Sequence, residues 1–310
     1  MENFWIVATQ VGILFVLMGA GACCRLTKLV DAKSIKGIVN VLILLVTPCL
    51  IIHCFQRPYD PAMMKGLGVS FAFALGAHVV SILLANLLVR NREEKTRCVL
   101  RLASVFSNAG FMGVPLEQAI LGETGVFYGI TFVVVFNLFI WSWGLTVMRG
   151  GAARASRTMF VNPGTIGIAL GLGLFLTSWQ LPEIVRTPVK MLSDLNTPLA
   201  MVVIGYYLGG MRLAAVVRSP SAWVATALRL VVVPLLATAA LYPFRHSLDR
   251  TMMLATVIPA AAPVAAMVTM FAAKFDRDVN MSVGMVCGTT LLSILTMPPV
   301  IAFAMSVLSR

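Results

Sequence analysis

The chain reads as an all-α polytopic membrane protein. Ten transmembrane helices form two inverted five-helix repeats, with broken helices 4 and 9 crossed at mid-bilayer. Three observations lead there. Of the 310 residues, 59% are hydrophobic and only 12% are charged, about half the charged share of a soluble domain. Basic residues fill alternate loops, and proline-marked interruptions recur at nearly one offset.

Span placement follows from length. A helix crossing hydrocarbon needs roughly 20 apolar residues, and apolar runs fall at about 4–24, 35–55, 63–89, 97–122, 124–148, 162–181, 187–211, 220–244, 251–273 and 281–308. Glu2 and no basic residue precede the first run, unlike a secretory leader, so span one is expected to stay in the mature chain. A basic linker at 149–161 separates the repeats, 1–148 and 162–310.

Seventeen of the 24 Lys and Arg lie on one side of these spans. Arg25, Lys28, Lys33 and Lys36 are in the first loop, and Arg90, Arg92, Lys95, Arg97 and Arg101 are in the third. Arg149, Arg154 and Arg157 are in the fifth, Arg212, Arg218 and (a little inside span eight) Arg229 in the seventh, and Lys274 and Arg277 in the ninth. The positive-inside rule makes these loops cytoplasmic and both termini extracytoplasmic, in the plasma (cell inner) membrane. The net charge of +12 is then orientation signal with anionic lipids as partners; nucleic acid is not expected.

Thr47-Pro48 in span two recurs as Thr197-Pro198 in span seven, 150 residues on. Pro115 in span four is matched 148 residues on by Pro263, within Ile258-Pro259-Ala260-Ala261-Ala262-Pro263 of span nine. Five spans per repeat is an odd number, so the second repeat enters the membrane in the opposite direction. The two breaks therefore face each other at the midplane.

The run from Ser107 to Leu116 places Gly110, Gly113 and Pro115 at bilayer depth. Broken backbone there must be buried in protein or line a cavity. Half-helix ends offer unpaired amides and carbonyls, and Asn108 adds a neutral amide, chemistry that suits a small anion. The expected lining is Asn108, Gly110, Met112, Gly113 and Pro115 from span four with Pro259, Ala261 and Pro263 from span nine. Asn137 of span five and Ser293 of span ten stand beside them, unless they serve interhelical hydrogen bonding instead.

Ionisable groups within spans are functional by default. Glu117 admits two roles: stabilising a half-helix N-terminus that begins near Pro115, or coupling transport to protons. His53 and His78 are of the residue type used as a switch at physiological pH and are candidates for a coupling or supporting role, or else hydrogen-bond to neighbouring backbone. Asp194 is spaced to pair with Lys190. Gly19, Gly21, Gly205, Gly209 and Gly210 read as close-packing positions. The six cysteines, Cys23, Cys24, Cys49, Cys54, Cys98 and Cys287, show no CxxC and no companion histidines at metal spacing, so neither metal nor cofactor is expected. There is no HExxH, no GxxxxGK and no catalytic constellation, so no enzymatic activity is expected and any drive comes from gradients.

The run Asn108-x-x-x-Met112-Gly113-x-Pro115 resembles the fourth-helix signature of the auxin efflux carrier family. Pro263 through Ala273-Lys274-Phe275-Asp276 to Ser282, with Leu292-Ser293 and Pro298, is similar to that family's C-terminal half. The resemblance implies a carrier whose spans 1, 2, 6 and 7 form a dimerising scaffold, while spans 3–5 and 8–10 form a transport domain that moves against it as an elevator. Similar bacterial members are permeases for malonate, malate and related acids. The expected function is a secondary transporter of a mono- or dicarboxylate. The alternative is a sodium- or proton-coupled antiporter or symporter of the same architecture with a different substrate.

Overall fold

The computed structural model describes residues 2–150, 163–210 and 214–308, and every named element among them is helical. In chain order these are α1 (Glu2–Leu26), α2 (Ala32–Cys54), α3 (Pro61–Leu88), α4 (Glu94–Val105), α5 (Ala109–Arg149), α6 (Pro163–Leu176) and α7 (Glu183–Asp194). Then follow α8 (Asn196–Leu208), α9 (Ala214–Val217), α10 (Pro220–Phe244), α11 (Arg250–Ala261), α12 (Met267–Lys274) and α13 (Val279–Val307). Six of them, α1, α2, α3, α5, α10 and α13, are long and apolar enough to cross a membrane. The other expected spans fall on shorter pieces: four begins as α4 and resumes in α5, six is α6, seven divides at Leu195 into α7 and α8, and nine divides into α11 and α12. Most of the expected basic linker, including Arg154 and Arg157, lies outside the described residues, as do Arg212 and Arg310.

Polar residues start these helices where the chain returns to the membrane. The side chains of Asp31, Asp60, Asp249 and Asp278 accept from the amides of Ser34, Ala62, Met252 and Met281, and Ser219 accepts from Ala222. Each satisfies an amide that the first helical turn leaves unpaired. At the opposite end of one such turn, Lys95 Nζ stands 2.6 Å from Asp276 Oδ2 and holds that carboxyl below the usual range.

Prolines inside the spans are absorbed rather than allowed to break them. Widened π turns at Leu42–Val46, Ala109–Gly113 and Leu228–Val232 each end two residues before a proline, Pro48, Pro115 and Pro234. A proline has no N–H and its ring meets the carbonyl four residues back; the wider turn moves that carbonyl away. Span four is therefore interrupted not at Pro115 but before it, at Phe106–Asn108. Likewise Pro259 sits inside α11, and the second interruption begins only after Ala261.

Gly122 takes φ +68° and ψ −163° inside α5, a conformation essentially reserved for glycine. It divides α5 into arms 109–121 and 123–149. Leu121 lies against Gly125 and Glu117 against Gly129, the pairings of a tight helical hairpin. Elsewhere α1 packs on α8 and α13, and α2 on α6 and α7. A Cβ on Gly21 or Gly205 would overlap the carbonyl of Val202 or Met18, so these two glycines set the approach of α1 to α8. Gly19 touches nothing in this way. The largest apolar core gathers residues of α1, α2, α5, α8, α11 and α13 around Met112, Phe127 and Ile258. Outward-facing Trp5, Val16, Leu44, Leu83 and Leu295 are exposed, as expected of surfaces that meet lipid.

Candidate functional site

The interruptions after α4 and α11 meet each other. The Asn108 amide donates to the Pro263 carbonyl at 2.6 Å, and the Ala265 amide donates to the Phe106 carbonyl at 2.9 Å. Ser107 and Val264 thus form an isolated antiparallel bridge where the other described elements are helical. Four half-helix ends converge on this bridge: α4 and α11 terminate at it, while α5 and α12 start from it. Thr289 on α13 accepts the Val264 amide at 3.0 Å and donates to Met285 in its own helix. Gly113 lets α5 press on α11, since a Cβ there would stand 3.1 Å from Pro259.

Arg229, within the π turn of α10, is wholly buried. One guanidinium nitrogen donates to the Val105 carbonyl at 2.7 Å and another to the Ala260 carbonyl. These carbonyls belong to the last turns of α4 and α11, where helices carry partial negative charge and unpaired acceptors. A single cation therefore serves both C-terminal ends of the crossing.

The N-terminal side is left open. Ala109, Gly110 and Phe111 begin α5, and their amides have no acceptor in the helix. Asn108 is 5% exposed, and its carbonyl takes the amides of Met112 and Gly113 while its side chain caps nothing. A Cβ placed on Gly110 meets no atom within 4 Å. Free amide donors, an unspent side-chain amide and open space coincide at one point.

The whole chain also matches a known family of carriers. The model of the family described as membrane transport protein covers residues 6–159 and 152–301. The chain belongs to this family, that of the auxin efflux carriers. It is similar to an uncharacterized transporter of Methanothermobacter thermautotrophicus, with 26% identity over 293 residues that make up 92% of this chain and 94% of that one. The protein is thus a multi-pass membrane transporter.

For this carrier the expected site residues divide into two groups. Asn108, Gly110, Met112, Gly113, Pro259, Ala261 and Pro263 stand at or beside the crossing, with Pro115 just past the π turn that opens α5. Ser293 reaches it from α13, its Oγ 4.0 Å from the Met112 sulfur while donating to the Thr290 carbonyl at 2.6 Å. Asn137 does not join them through its amide, which donates to Val133 in its own helix at 2.8 Å. His78 is buried with Nδ1 2.9 Å from the Ala74 carbonyl and its ring stacked on Phe139, a backbone-bonded packing residue.

His53 lies at the other end of α2, 3.1 Å from Glu123 beside the Gly122 kink. Arg57 ties the same corner, donating to the Cys54 carbonyl at 2.9 Å and to Thr124 Oγ1 at 3.3 Å. Lys190 pairs with Asp194 at 2.9 Å. His53, Glu123, Lys190 and Asp194, with Val114, Gln118 and Asn196, line a polar cavity of about 120 Å³ between α2, α5 and the α7–α8 junction.

Two departures from the sequence reading stand out. Arg229 is no loop charge but the cation of the crossing; its one sequence signal is a lone arginine inside an apolar span. Glu117 caps no helix: α5 starts eight residues earlier at Ala109, and neither carboxyl oxygen has a hydrogen-bond partner.

Proposed function

We propose that the protein is a secondary carrier for a small organic anion, a mono- or dicarboxylate of the malonate and malate kind, which binds at the crossing with its carboxylate on Asn108 and the opening amides of α5. The observation that carries this reading is the division of charge at the bridge. Arg229 answers both carbonyl ends, so the amide ends remain for a negative ligand. Each helix terminus contributes about 0.3–1 kcal/mol, up to about 2 when partly buried, and a neutral amide about 1 kcal/mol. Such a site binds weakly and releases readily, as turnover requires.

In this reading there are ten spans in two inverted repeats. Spans 1, 2, 6 and 7 are the scaffold of a homodimer, and spans 3–5 and 8–10 carry the crossing through the plasma membrane as an elevator, with both termini outside. The contacts of α1 with α8 and of α2 with α6 and α7 support the scaffold grouping. Against the sodium-coupled alternative stands Arg229, whose guanidinium takes up the paired carbonyls that a cation would need. A thermal-shift screen of the purified protein against mono-, di- and tricarboxylates, followed by uptake of each stabilising acid into proteoliposomes, tests the substrate class. Stabilisation by none of them, with transport of a neutral or cationic solute instead, would remove the anion reading.

A further inference from the structure

Among the described residues, one carboxylate side chain and one guanidinium are fully buried: Glu117 and Arg229, each with no exposed surface. Arg229 has acceptors for two of its nitrogens. Glu117 has none for either oxygen. It occupies a slot cut by Gly129 in the facing arm of the α5 hairpin, where a Cβ would overlap both carboxyl oxygens.

The elements packed around this arm bring no counter-charge into the slot. α2 offers the buried Cys54 thiol and His53 in its last turn, with Arg57 just beyond its end. The second arm offers Tyr128, with Glu123 at the kink, and α11 carries no charged residue beyond Arg250 at its start, preceded by Asp249. α3 contributes Lys65 and His78, the latter turned to the Ala74 carbonyl. α1 carries nothing ionisable from Asn3 to Ala22, and α8 has only Tyr206 and Tyr207. A buried carboxylate with no protein hydrogen bond or cation is unstable in such a place, and binding a proton removes its charge.

We propose that Glu117 is the proton-binding group of this carrier and that it couples one proton to each monovalent anion, moving both in the same direction. The proposal rests on the anion-carrier reading and deepens it. Its basis is a charge balance. With a monoanion at the crossing and Glu117 as the neutral acid, the anion offsets Arg229. With the site empty and Glu117 ionised, Glu117 offsets Arg229. Both of these forms present no net buried charge. Proton without anion leaves one net positive charge, and anion without proton leaves one net negative charge; hydrocarbon disfavours both. Each cycle protonates the carboxylate on one side of the membrane and returns the proton to water on the other.

The nearest polar space to the slot is one helical turn away. Val114 and Gln118, one turn before Glu117 and next to it, line the 120 Å³ polar cavity. On the cavity wall, His53 Nδ1 and Asn196 Nδ2 are buried without partners, so the space has both the room and the polar groups to hold water.

Two readouts test this. In the protein alone, a pH-jump infrared difference spectrum should show the C=O stretch of a protonated carboxylic acid that titrates and that vanishes in Glu117→Gln. In proteoliposomes, wild type given labelled malonate should accumulate its monoanion about tenfold per unit of inward proton gradient, a factor of ten being one proton's worth. Glu117→Gln should equilibrate malonate without accumulation, and Glu117→Asp should restore it in part. If Glu117→Gln does not fold, Gly129→Ala, which intrudes on the slot but keeps the acid, should shift the infrared band. A titrating band with no malonate transport in any variant supports the proton site and counts against the anion reading. An absent band, or undiminished accumulation by a folded Glu117→Gln, overturns the proposal.

Discussion

Arg229 donates to the Val105 carbonyl at 2.7 Å across 124 positions of sequence, and with its other arm it holds Ala260. Spans four, eight and nine are fastened at one guanidinium. Arg229→Met should leave two buried carbonyls unanswered, at about 1–3 kcal/mol each, and lower the melting temperature in detergent by several degrees. Arg229→Lys, which keeps the charge but not the fork, should fall between. A methionine variant as stable as wild type would mean that the carbonyls find other partners.

Gly122 is the hinge of the α5 hairpin. With φ +68° and ψ −163°, Gly122→Ala should cost about 1–3 kcal/mol, read as reduced thermal stability. Gly110→Ala is the contrasting control at the crossing, because nothing stands within 4 Å of its Cβ; it should be far milder for folding.

Gly205→Ala should separate α1 from α8, because the added methyl overlaps the Met18 carbonyl and backbone cannot move aside as a flexible side chain can. Overpacking of this kind costs about 1–3 kcal/mol. Gly19→Ala, on the same helix pair but with open space around it, should be neutral. The difference between the two melting temperatures measures the contact.

Much of the chain was legible because glycine and proline obey local rules. Pro48, Pro115 and Pro234 mark where spans must adjust, and Gly122 marks where one ends. The form of the adjustment was not legible, since a π turn leaves no signature beyond the proline it accommodates, and so Pro115 reads as a break when the break lies at Phe106–Asn108. Arg229 shows a second limit. Its position inside an apolar span is plain in the sequence, but the carbonyls of Val105 and Ala260 that give it a purpose are brought to it only by the fold. Glu117 reads as a helix-end acid on the assumption that α5 begins near Pro115, and the earlier start at Ala109 removes that role.

The proposed orientation rests on the basic loops. In a cysteine-free background, a cysteine in place of exposed Glu123 should react with a membrane-impermeant thiol reagent in intact cells, and one in place of exposed Arg92 should be shielded. The reverse pattern would invert the orientation while leaving the crossing intact.

The proposed anion site rests on Asn108, whose side chain caps nothing in the fold and is therefore free to donate to a ligand. The measurement is the dissociation constant of the best-stabilising carboxylate for wild type and for Asn108→Ala, with melting temperature and oligomeric state as controls. Loss of one donor to a carboxylate costs about 1–3 kcal/mol, so the variant should bind roughly five- to a hundredfold more weakly while folding normally. An Asn108→Ala protein that binds and transports the same acid with unchanged affinity and rate would place the anion somewhere other than the crossing.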